Sequence, residues 1–178
     1  MQDGDLFLEI AAIAGVFVGF GALIAVRSGG ASGRIEVGYM RGVVSIGALT
    51  IVAALAPVTL ARYDLTEHEV WVLSSAIVVI GWVVFFVVNA RTQEYRANWA
   101  ADLDVARTGQ RSRWPEMVNL AAFFLYLLVM FVVPIVIVLG MVPELEAAFY
   151  FTEVVLILAG AGWTLLLLVY AQRTPVAT

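Results

Sequence analysis

The feature that most constrains this chain is the recurrence of apolar runs about as long as a bilayer is thick. A helix needs about 20 residues to cross a hydrocarbon core of ~30 Å. Five such runs are present, at roughly 6–26, 42–61, 70–90, 117–140 and 148–171. Only 13% of the 178 residues are charged and 62% are hydrophobic, whereas soluble domains run nearer a quarter charged and half apolar. A water-facing surface cannot be built from this set, so the bilayer is the solvent. The predicted fold is all-α: one integral membrane bundle of five transmembrane helices spanning residues 1–178.

The connections set the expected orientation. "RSGGASGRIEVGYMR" separates the first two runs, "RYDLTEHE" the second and third, and "GMVPELEA" the fourth and fifth. All ten basic residues are arginine. With five spans, Arg27, Arg34, Arg41, Arg91, Arg96, Arg107, Arg111, Arg113 and Arg173 fall on one side and Arg62 alone on the other. Arginine-rich loops stay in the cytoplasm. The expected topology therefore has the N-terminus outside and the C-terminus cytoplasmic. The acidic start, "MQDGDLFLEI", lacks the positive n-region of a signal peptide, so the first run is expected to be a retained span. Asp3, Asp5, Asp64, Glu67, Glu69, Glu144 and Glu146 all fall on the outer side. An acidic vestibule for cations and plain exclusion of arginine both produce that pattern.

The connection over residues 91–116 is predicted to be cytoplasmic. Its Tyr95, Trp99 and Leu103 recur every four residues and share a helical face. An interfacial helix with aromatics at headgroup level is expected, and a partner-binding helix is the alternative.

Several function classes are excluded. The chain has no cysteine and a single histidine, His68, which removes thiol chemistry, histidine-rich metal sites and a Ser/His/Asp triad within the membrane. Walker, GxGxxG, HExxH and nucleophile-elbow motifs are missing. No cofactor and no enzymatic activity are expected. A net charge of −4 disfavours nucleic acid as a partner. The expected partners are the lipid bilayer, further copies of the chain, and a cation or proton.

Two carboxylates stand out. Glu9 lies near the outer end of the first span. On a helical wheel Glu9, Ile13, Val16, Phe20, Leu23 and Arg27 fall within about 40° of one line. Copies of that face around an axis would make an acid ring, a hydrophobic constriction at Ile13, Val16 and Phe20, and a basic inner mouth. This order resembles the pore helix of the Orai calcium channels, over one helix and with the chain direction reversed. The resemblance implies a cation pore formed by several copies. A carboxylate reaching for headgroups gives the same sequence. Ala11, Gly15 and Gly19 form a separate small-residue stripe, which predicts close helix packing within the subunit or between subunits.

Glu153 is the second carboxylate, about one turn into the fifth span, with Gly160 and Thr164 continuing its face. At similar depth, Pro57 and Pro134 free the carbonyls of Ala53 and Met130. Such carbonyls suit a cation or a proton-carrying water, and a simple kink is the alternative. Ser75, Trp82 and Asn89 repeat every seven residues in the third span, and Asn119, Phe123, Tyr126 and Met130 share a face of the fourth. Tyr63, Trp71, Trp114 and Tyr150 are expected at the membrane interfaces.

The expectation is an oligomeric cation or proton channel or transport component of a prokaryotic plasma membrane. Glu9, Glu153, Pro57 and Pro134 would serve the ion. The alternative is a non-conducting scaffold that binds a partner through residues 91–113.

Overall fold

A computed structural model of the chain describes residues 4–27, 34–91, 126 and 128–171. Among them all regular structure is helical. The helices are α1 (Gly4–Arg27), α2 (Arg34–Leu60), α3 (Glu67–Arg91), α4 (Leu128–Val138) and α5 (Glu146–Ala171), with a short 3-10 turn at Pro143–Leu145 before α5. Four helices are long and apolar enough to cross a membrane, over Gly4–Ile24, Met40–Leu60, Glu67–Val88 and Pro143–Leu166. This is the build of a multi-pass membrane protein. The fourth predicted span is described only over its second half. The interfacial segment at Tyr95, Trp99 and Leu103, together with Trp114, Asn119 and Phe123, lies outside the described residues.

One boundary differs by two turns. "RIEVGYMR" reads as part of a connection, yet α2 begins at Arg34. An apolar run marks the part of a helix that sits in lipid. It does not mark where backbone hydrogen bonding starts.

Local sequence sets the sharp turns. Thr66 and Glu69 form a capping box at the start of α3: Glu69 N–H donates to Thr66 Oγ1 (3.3 Å), and Thr66 N–H donates to Glu69 Oε2 (2.8 Å). That reciprocal bonding satisfies two backbone donors that the helix itself leaves open. Gly140 ends α4 with φ of 60°. Its N–H donates to Ile137 O and that of Met141 to Val136 O, the paired bonds of a Schellman motif that a residue with a side chain would strain. Pro143 then opens the 3-10 turn.

α2 is the central helix: α1, α3 and α5 all pack on it, and α5 also touches α1 and α3. The start of α1, the α2–α3 turn and the α4–α5 turn share one end of the bundle, where Phe7, Trp71 and Tyr150 meet in one ring cluster. At the other end Gly42 sits against Thr164, and Gly21 against Val43. Helix α1 buries Phe7, Ile10 and Ala14 and leaves Val16 at 66% and Leu23 at 67% exposed. Apolar groups so exposed belong in lipid and would be a liability in water.

Trp71 and Tyr150, expected at a membrane interface, are instead buried in this core, at 3% and 0% exposure. Only Tyr63 of the described aromatics in that set is exposed. The faces that carry Trp71 and Tyr150 point at other helices, and depth along the helix alone does not report that.

Candidate functional site

Glu153, Ser74 and the Ala53 carbonyl share one depth in the bundle. Glu153 is seven residues past the start of α5, Ser74 seven past the start of α3, and Ala53 seven before the end of α2. At 1.5 Å per residue each lies about 10 Å from that common end. α5 begins earlier than its apolar run suggests, so Glu153 is two turns deep and not one.

Glu153 is fully buried, and neither carboxylate oxygen has a hydrogen-bond partner among the described residues. The hydroxyls of Tyr126 and Tyr150 lie within electrostatic reach of it. Tyr150 donates a hydrogen bond to Ala53 O at 2.8 Å. Ala53 O is the carbonyl that Pro57 deprives of its helical donor. Ser74 Oγ lies beside the Tyr150 hydroxyl without completing a hydrogen bond, and Ser75 Oγ, Tyr126 Oη and Trp82 Nε1 are likewise buried without partners among the described residues. A Cβ at Gly160 would come 2.6 Å from Tyr126 Oη. Glycine there makes room for that hydroxyl against α5.

Other buried hydroxyls are settled within their own helices. Thr50 Oγ1 donates to Ile46 O and Thr164 Oγ1 to Gly160 O, at 2.9 and 2.8 Å. They take no part in the polar layer.

The sequence candidates separate in space. Pro57 and Glu153 belong together: the carbonyl freed by the first is bonded by Tyr150, three residues before the second on the same face of α5. That bond uses one of the two lone pairs of Ala53 O. Pro134 is buried in α4, and Met130 belongs to the core. Glu9 is exposed on α1, as are Ile13 at 47% and Phe20 at 51%. This face turns away from the bundle, and no path inside the subunit runs along it. Of the small-residue stripe, Gly15 and Gly19 have nothing within 4 Å of where a Cβ would stand. Ala11 packs against the core, but the two glycines do not pack among the described residues, because the buried face of α1 runs through Ala14.

Sequence reasoning missed Tyr150, Tyr126 and Ser74 as site residues. The spacing Glu146–Tyr150–Glu153 was a usable signal, since steps of four and three keep one helical face.

Chemically, the layer offers a carboxyl group and the hydroxyls of Ser74, Ser75 and Tyr150, with the Tyr126 hydroxyl and the Trp82 indole N–H about two turns deeper. Unpartnered buried polar groups are expensive, and in a membrane an ionisable one is a functional-site candidate by default. A proton on Glu153, or a small cation beside it, removes the cost of the charge. Among the described residues no three acidic or histidine side chains group as a metal site would need. The chain matches no protein-family model, no curated protein and no solved structure.

Proposed function

We propose that this chain moves protons, or small cations of similar demand, across a prokaryotic plasma membrane, with Glu153 as the binding carboxyl and no enzymatic chemistry. The observation that supports this is the burial of Glu153 with both oxygens unpartnered among the described residues, beside the hydroxyls of Ser74 and Tyr150. A carboxyl kept only for structure would be expected to carry hydrogen bonds to its neighbours. The reading places the path within one bundle. It does not depend on a ring of Glu9 side chains, although self-association is compatible with it.

The test is proton flux into vesicles containing the purified protein, driven by a potassium diffusion potential and read by a trapped pH dye. Wild type should exceed protein-free vesicles. Glu153→Gln, which keeps shape and removes the acid, should abolish the excess while the protein still unfolds cooperatively. Thr152→Ala is the control: Thr152 is exposed on the same helix, and its hydroxyl bonds Ala148 O. Wild-type flux at the protein-free level, for protons and for alkali cations, would overturn the proposal in favour of the non-conducting scaffold.

A further inference from the structure

The face of α5 that carries Glu153 also carries Glu146, seven residues nearer the end of the bundle. Glu146 is buried, and its Oε1 lies 2.8 Å from Nδ1 of His68. His68 is half exposed. It is the chain's single histidine, held at the first turn of α3 by the Thr66–Glu69 cap and packed near Gly140. Glu69 lies within electrostatic reach of it; Glu67, next to it in sequence, and Glu144, two residues before Glu146, are exposed acids.

The sequence of groups from water inward is therefore His68, Glu146, the Tyr150 and Ser74 hydroxyls, and Glu153. Around that line, Phe7 and Trp71 bury their rings against Tyr150, with centroids 6.1 and 5.6 Å away. The rings exclude water around Tyr150, and Glu146, Tyr150 and Glu153 follow one another on one face of α5.

We infer that the His68–Glu146 pair is the entry relay through which protons reach Glu153. The inference rests on the reading of Glu153 as a proton-binding group. The step balances without any redox change. Water delivers a proton to the Nε2 side of the imidazole, and the Nδ1 proton passes to Oε1 of Glu146. The ring is left neutral and returns to its first tautomer by exchange with water. From Glu146 the proton moves inward. Ser74 Oγ, which has no partner among the described residues, accepts the proton on a lone pair and releases its own toward Glu153; Tyr150, whose proton is held by Ala53 O, passes none on. Histidine suits this role because its two nitrogens take and give a proton on opposite sides of one ring.

The experiment reads the proton on Glu153 directly. Full-length protein in lipid is transferred from H2O to D2O, and the infrared C=O band of its protonated carboxyl is followed. The band is identified by its loss in Glu153→Gln. The wild-type band should shift promptly. In His68→Gln and in Glu146→Gln it should remain but exchange about a hundredfold more slowly, the lower side of what a positioned proton-transfer group contributes. Glutamine at position 68 still donates to Glu146, so that variant keeps the staple and removes only the relay. It carries the test if Glu146→Gln fails to fold. A band present and exchanging at the wild-type rate in a folded His68→Gln protein would overturn the relay and leave Glu153 in place. If Glu153→Gln removes no band, the reading of Glu153 itself falls.

Discussion

Proline 57 shows how a single residue defines its own partner. It has no N–H, so Ala53 O lacks the donor that any other residue would supply. In lipid no water replaces it, and the Tyr150 hydroxyl does so at 2.8 Å. The freed carbonyl was legible in the sequence. Its partner was not, because Tyr150 reads as an interfacial aromatic until the face it shares with Glu146 and Glu153 is known to point inward. The pairing predicts a specific non-additivity. Tyr150→Phe should destabilise the protein by about 1 kcal/mol, the usual worth of a buried hydrogen bond. In a Pro57→Ala background the same change should cost markedly less, because the backbone N–H restored at position 57 then serves Ala53 O. Unfolding the four variants in a detergent–denaturant titration gives the cycle. Equal costs in the two backgrounds would mean that the hydroxyl does not substitute for the lost helical donor.

At the scale of the element, α1 separates two ideas that a helical wheel merges. The wheel finds which residues share a face but not which face meets a neighbour. Ala11, Gly15 and Gly19 form the more conspicuous stripe, yet the buried face of α1 is Phe7, Ile10 and Ala14: Phe7 meets the rings of α3 and α5, and Ala14 and Gly21 lie against α2. The close approach comes from the other helix: a Cβ on Gly47 would stand 2.6 Å from Val18 Cγ2 and 3.5 Å from Ala14 O. Glycine on α2 and alanine on α1 together allow it. Ala14→Leu should therefore lower stability by about 1–3 kcal/mol, as overpacking does, while Gly15→Leu leaves the subunit folded. Thermal unfolding of both variants in mild detergent measures this. Equal tolerance would place the α1–α2 contact elsewhere. The start of α3 gives the opposite lesson, for "TEHE" before an apolar run spells a capping box in plain sequence, and the bonds are present.

For the whole molecule, the order of the helices follows from the apolar runs, whereas their lengths follow only within the apolar part. Depth was read less well. Apolar runs undercount helices at their polar ends, and this shifted Glu153 from one turn to two. Which end faces the cytoplasm is a separate question, and charge carries it. The end with the start of α1 and the two described turns bears Asp5, Asp64, Glu67, Glu69, Glu144 and Glu146 with Arg62. The opposite end has Arg27, Arg41 and Arg91. We propose, from the positive-inside rule, that the acidic end, and with it His68, faces outward. The chain has no native thiol, so single cysteines report cleanly. Asp64→Cys and Glu144→Cys should react with a membrane-impermeant maleimide on intact cells. Ala100→Cys and Val176→Cys should react only after permeabilisation. Labelling of position 100 from outside would reverse the orientation, and it would also reverse the proposed relay: protons would enter Glu153 from the cytoplasm and not from the external medium. Sidedness and the direction of flux are thus tied, and vesicles in which labelling establishes the orientation should show loss of proton entry from the position-64 side when His68 is replaced by glutamine.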